Sequence, residues 1–112
     1  MALISYKDFL KIEIFVGTII AAKKNNSLKN ASIILTIDFG EIIGIKKSSA
    51  QIQANYDCKN LINKQVVAVI NFPPKQIGNL ISEVLVLGFN DHNKEPILIS
   101  PEFKVKDGNR LF

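Results

Sequence analysis

The chain is 112 residues long, 47% hydrophobic and 21% charged, which suits one folded domain around a single core and argues against disorder. Fourteen basic residues against ten acidic ones leave a net charge of +4, a mild bias toward polyanionic partners, but all the basic residues except Arg110 are lysines, so bidentate forks onto bases or phosphates are scarce. No apolar run approaches the ~18 residues of a membrane span, the N-terminus has no signal-peptide pattern, and Cys58 has no second cysteine to pair with; a cytoplasmic protein without membrane insertion or disulfide is expected.

Ser5 to Asp8 has the form of a helix cap, with the Ser5 hydroxyl accepting from first-turn N–H groups, and predicts a short helix through Leu10. Residues 12–22 read as a long strand, because Ile12, Ile14 and Val16 share a face and β-branched residues dominate. Gly17 interrupts the pattern and predicts a bulge or coil of the kind that bends a sheet toward a barrel. Residues 23–30 are polar and turn-rich, a loop. A second strand is expected over 33–39 and a third over 42–47, joined by a tight turn at Gly40 and Glu41. Residues 49–56 predict a short helix behind a serine cap, 57–64 a connecting loop, 65–72 the fourth strand and 81–87 the fifth. Residues 89–96 read as a polar turn and 96–101 as an edge segment. The whole pattern predicts an all-β fold: one domain over residues 1–112, a five-stranded Greek-key barrel of the OB-fold type with short helices.

The ends carry more apolar surface than so small an interior can take. Tyr6, Phe9 and Leu10 precede the barrel, and Phe103, Val105, Leu111 and Phe112 follow it. Docking across a two-fold axis covers both sets, which predicts a homodimer with these seven residues at its interface. The alternative is that both ends fold back on their own barrel.

Between strands four and five the chain runs Asn71-Phe72-Pro73-Pro74-Lys75 and on to Ser82. The prolines end the strand because they lack the N–H that a ladder needs, leaving an amide, an ammonium and a hydroxyl near the rim. Amides and hydroxyls can meet phosphate or 2′-hydroxyl groups, and an ammonium can neutralise a phosphate; equally, Asn71 suits a turn and Ser82 a strand end. Lys46-Lys47-Ser48-Ser49 closes strand three with two cations and two hydroxyls. Lys46 and Ser48 share a face with Gly44, which leaves room for a ligand, although lysines there also suit a solvated edge guarded against aggregation. Lys23, Lys24, Asn25, Asn26 and Lys29 read as a solvated loop, and Phe15 and Phe39 as core rather than stacking platforms. The single histidine, His92, has no second ligand nearby, the carboxylates are scattered, no serine has a base, and there is no glycine-rich phosphate loop. No enzyme, metal or cofactor is expected.

Phe9-Leu10-Lys11-Ile12-Glu13-Ile14-Phe15-Val16-Gly17-Thr18-Ile19 resembles the opening strand of the tRNA-binding domains appended to some aminoacyl-tRNA synthetases and of free-standing tRNA-binding proteins. Residues 35–41, residues 65–71 and Ser82 continue the resemblance in order, while residues 44–52, 71–74 and 82–88 look most like the CsaA subgroup. The resemblance covers essentially the whole chain. It implies an OB-fold homodimer that binds tRNA, with Asn71, Lys75 and Ser82 on the RNA-facing surface, and for the subgroup a chaperone role with exported precursor proteins. The chain departs from synthetase-linked members at Val84 and Leu85, where they carry Gly-Met, and at Gly78, where they carry a basic residue. The expectation is a non-catalytic dimer gripping structured tRNA through Lys46, Lys47, Ser48, Asn71, Lys75 and Ser82, mostly by phosphate and sugar contacts. Its rival is a chaperone for unfolded precursor proteins and the export machinery with no tRNA role; a third is a protein–protein adaptor.

Overall fold

The computed structural model describes residues 1–25 and 32–112; Asn26 and Lys29 of the expected loop lie outside them. Among the described residues the elements run α1 (Tyr6–Phe9), β1 (Ile14–Asn25), β2 (Ser32–Asp38), α2 (Gly40–Ile43), β3 (Ile45–Ala50), α3 (Cys58–Leu61), β4 (Gln65–Val69), β5 (Lys75–Ile77), β6 (Leu80–Ser82), β7 (Leu85–Val86), β8 (Gly88–Asn90) and β9 (Pro96–Leu98). Five strands make one antiparallel sheet in the order β3-β2-β1-β4-β7, and β5–β6 and β8–β9 form separate hairpins. The result is a mostly β, five-stranded antiparallel half-barrel with short helices, consistent with an OB-fold. No helix among the described residues is long and apolar enough to cross a membrane.

Alternation builds the core. Ile33, Leu35 and Ile37 point inward from β2 and meet Ile19 of β1, Phe39, Ile52, Leu61 and Val66, all buried. Phe39 is thus core, as the sequence indicates, and Phe15 packs against that core half-buried. β1 serves two neighbours at once: Ile14 to Thr18 pair with β4, and Thr18 to Asn25 with β2. It must therefore bend. The register slips between Ile19 and Ala21, so the bulge falls after Gly17 rather than at it. Gly17 does something else: a Cβ there would stand 2.7 Å from Ile37 Cγ2, 2.8 Å from Phe39 Cδ1 and 2.9 Å from the Asp38 carbonyl oxygen. Its missing side chain is what lets the end of β2 cross so close.

Several boundaries differ from those expected. α1 forms as read, with Ser5 Oγ accepting from Asp8 N–H at 3.1 Å and the Asp8 carboxylate accepting from Ser5 N–H at 3.3 Å. The third strand starts later, because residues 40–43 close a single helical turn through Gly44 N–H to Gly40 O at 2.7 Å. It also runs on to Ala50, taking Ser49 out of the expected helix cap. The helix sits instead at Cys58–Leu61, in the expected loop, where Asp57 caps it by accepting from Asn60 N–H at 2.8 Å. The expected fifth strand is two short pieces, β6 and β7, interrupted at Glu83 and Val84. The expected polar turn at 89–96 contributes to the β8–β9 hairpin.

The C-terminal segment returns along the start of β1. Gly108 N–H donates to Val16 O at 2.8 Å, Val16 N–H to Asn109 O at 3.1 Å, and Leu111 N–H to Ile14 O at 2.9 Å. Gln65 reads the Val105 backbone in both directions, at 3.0 and 2.7 Å, and Asp107 accepts from Thr18 Oγ1 at 2.6 Å. Gly40 and Gly108 face one another here with φ of +90° and +87°, and a Cβ on Gly108 would come within 2.5 Å of Phe39 O. A side chain at that point would be strained by its backbone angle and blocked by the facing carbonyl.

The hairpin tip is held by Asp91, whose Oδ1 accepts from Asn93 N–H at 2.8 Å and Glu95 N–H at 2.9 Å while Oδ2 accepts from Asn55 Nδ2 at 3.0 Å. These donors, Glu95 first, hold its carboxyl below the ordinary value of 3.8. A depressed carboxylate contributes stability that is present above its unfolded value and disappears as the pH falls through its folded one. Asp91→Asn should therefore lower the thermal midpoint near neutral pH, and the gap to wild type should close as the pH drops below about 3.8, read by thermal unfolding across a pH series.

Candidate nucleic-acid interface

β3 is an edge strand, with β2 on one side only. Its other edge meets residues 82–84, and side chains do much of the joining. Ser82 Oγ accepts from Ser49 N–H at 3.1 Å, and Glu83 Oε1 accepts from Lys47 N–H at 3.0 Å. Glu83 N–H returns a bond to Lys47 O at 2.8 Å, and Ser48 Oγ donates to Val84 O at 3.0 Å. The seam explains why the fifth strand breaks where it does: residues 82–84 turn away from their own ladder to satisfy β3.

Three lysines gather around this seam. Lys46 Nζ lies 4.0 Å from Glu83 Oε2, with both side chains 37% exposed, a pair worth at most about 1 kcal/mol. Lys47 is exposed and, one residue on, leaves the opposite face of the strand. Lys75 is exposed directly across the β5–β6 hairpin from Ser82, so the two share a face. The polar residues expected beside them are engaged in the fold. Ser48 is buried at 2% exposure with its hydroxyl committed to Val84, which corrects its reading as a surface contact. Ser82 is half-buried and holds β3.

Asn71 is engaged elsewhere; its amide accepts from Glu13 N–H at 3.0 Å and donates to Lys11 O at 2.7 Å, fastening the link between α1 and β1 to the end of β4. Arg110, although exposed, is likewise engaged within its own chain: Nη2 donates to Leu10 O at 2.8 Å, and the guanidinium carbon sits 5.7 Å from the Phe15 ring centroid. Lys23 and Lys24 are exposed at the end of β1, and Asn25 is buried. Among the described residues no group of three or more His, Cys, Asp or Glu could hold a metal ion.

A family model described as "Putative tRNA binding domain" matches residues 14–110. The chain belongs to the tRNA-binding domain family. Within it, the crystal structure of chaperone CsaA from Bacillus anthracis str. Ames superposes with a TM-score of 0.92 at 39% identity, covering 99% of this chain and 100% of that one. CsaA chaperone protein from Picrophilus torridus gives 0.90 at 44% identity, covering 98% and 100%. A methionine–tRNA ligase of Porphyromonas gingivalis is 28% identical over 108 residues, 96% of this chain; the chain spans only 15% of that ligase's length.

The sequence reading did not single out Glu83, which has both main-chain and side-chain bonds to β3. The signal that could have found it was an acidic residue lodged between Ser82 and a hydrophobic run in a basic chain. The terminal side chains divide. Phe9 and Val105 are half-buried, whereas Tyr6, Leu10, Phe103, Leu111 and Phe112 are exposed, although the main chain of the tail docks on its own barrel. Ile42 of α2 is exposed too, at the edge of a groove of about 710 Å³ shared with Phe15, Ile70 and Asn109.

Removing the hydroxyl in Ser82→Ala leaves Ser49 N–H without its acceptor. The variant should lose about 1–2 kcal/mol in urea unfolding and exchange the Ser49 amide faster, while Lys47→Ala should stay within about 0.5 kcal/mol of wild type.

Proposed function

We propose that this protein is a non-catalytic, cytoplasmic homodimer that binds structured RNA of the tRNA class through the lysines of the β3 seam. The observation that carries this reading is the convergence of Lys46, Lys47 and Lys75, from segments distant in sequence, on one seam of a tRNA-binding domain. Lysine offers point charges rather than forks, so contacts go to phosphates and sugars with little reading of bases. Ser48 and Ser82 hold the seam in shape through their bonds to Val84 and Ser49, while Asn71 fastens the link between α1 and β1. Barrel closure at the seam as a full Greek-key OB-fold, over residues 1–112 as one domain, goes with the same reading. The exposed Tyr6, Leu10, Phe103, Leu111 and Phe112, with Phe9 and Val105 behind them, form the dimer interface, which doubles the basic face that one RNA can meet.

A second reading has its own support. The apolar side chains of Ile42, Phe72, Phe89 and Phe103 are exposed, and the chain is similar to proteins described as chaperones. On this reading unfolded or precursor polypeptides, and through them the export machinery, are the partners. Suppression of client aggregation should survive high salt, whereas RNA binding should fade.

Titrating purified protein with tRNA across a salt series tests the first reading. Log affinity should fall linearly with log salt, and Lys46→Ala/Lys75→Ala should flatten the slope by roughly 0.7–0.9 for each phosphate that is no longer neutralised. No binding at low salt would sink it. Sedimentation should give a dimer for wild type and a shift toward monomer for Phe103→Asp/Phe112→Asp.

A further inference from the structure

The basic seam carries its own anion. Glu83 is pinned at two points on Lys47: its N–H bonds Lys47 O at 2.8 Å, and its Oε1 takes Lys47 N–H at 3.0 Å. Swinging the carboxylate away would trade this bond for one to water at an exposed strand edge, so the bond biases the carboxylate toward its place beside β3. That leaves Oε2 aimed toward Lys46 Nζ at 4.0 Å, an ion-pair distance too long for a hydrogen bond. Lys46 is therefore held near a fixed negative charge but not locked to it, and Lys75 sits across from the preceding residue, Ser82.

Such a charge acts on any incoming phosphate. It lies well within a Debye length of the Lys46 ammonium, about 8 Å at physiological salt, and repels what that lysine attracts. Three lysines and one carboxylate leave a local charge of +2, so a ligand meeting one lysine at a time gains little. A folded RNA, whose phosphates are held in a rigid array, meets several lysines together and exceeds the repulsion.

We infer that Glu83 is a specificity-determining counter-ion: it competes with phosphate for Lys46 and so favours rigid, multi-phosphate RNA over flexible polyanions. The inference rests on the RNA-binding reading above. It assigns Glu83 a role beyond closing the seam, and the two roles separate cleanly. Glu83→Gln keeps an amide oxygen to accept from Lys47 N–H and removes only the charge.

The experiment measures tRNA and inorganic polyphosphate binding to wild type, Lys46→Ala, Glu83→Gln and Lys46→Ala/Glu83→Gln over a salt series, with urea midpoints alongside. Glu83→Gln should bind tRNA roughly two- to fivefold more tightly at low salt, steepen the log–log slope by roughly 0.7–0.9, and gain more for polyphosphate than for tRNA. The gain should vanish in the Lys46→Ala background. If Glu83→Gln unfolds, Glu83→Ser, a shorter neutral acceptor, should show the same steeper slope. Unchanged affinity and slope in Glu83→Gln, with wild type binding tRNA and Lys46→Ala weakened, would overturn the counter-ion role alone. Absence of tRNA binding by wild type would overturn the RNA reading and this inference with it.

Discussion

A strand that serves two neighbours must bend, and here the bend depends on an atom that is missing. β1 gives its first residues to β4 and its last to β2, and the crossing is tight enough that a Cβ at Gly17 would run into Ile37, Phe39 and the Asp38 carbonyl at once. Those neighbours belong to the buried centre of the core, which has little freedom to shift. The curl of the sheet follows from this crossing. So does the position of Phe39, which follows β2 into the core and brings Gly40 against the C-terminal segment.

The curl brings β3 round to residues 82–84, and there the half-barrel is joined largely by side chains. A continuous ladder would use main-chain groups and leave side chains free. This seam draws on Ser82, Glu83 and Ser48 as well, so three polar residues in a prominent motif are held by the fold. The cations remain. Lys46 and Lys47, on opposite faces of β3, and Lys75, across from Ser82, are left around the seam at least partly exposed. The one arginine, the better phosphate fork, is exposed but its Nη2 donates to the Leu10 carbonyl after α1. The outer face is left to point charges, which suits a backbone-directed grip on folded RNA.

The termini carry a set of exposed apolar side chains. Backbone pairing of residues 108–111 with β1 engages the main chain of the tail, while the side chains of Phe103, Leu111 and Phe112 stay exposed. Folding back and remaining exposed are therefore compatible, because one concerns the ladder and the other the side chains. An ordered backbone also makes an apolar surface cheaper to use, since little entropy is lost when a partner covers it.

Sequence alone determined what depends on local periodicity and chemistry. The alternation of Ile33, Leu35 and Ile37, the capping pair Ser5 and Asp8, and the apolar run of β4 each specify their element from neighbours a few residues away. The lysines of the seam were visible for the same reason, as was the unusual load of apolar residues at the ends. Tertiary structure decided the rest. The fifth strand broke at Glu83 because a partner thirty-six residues earlier claimed its hydrogen bonds. Ser48 went inside, and Asn71, still exposed, reached back fifty-eight residues to Glu13, because the fold brought those partners within reach. Polar side chains take whichever donor or acceptor the fold brings within reach, and those partners are set by chain crossings that no local window contains.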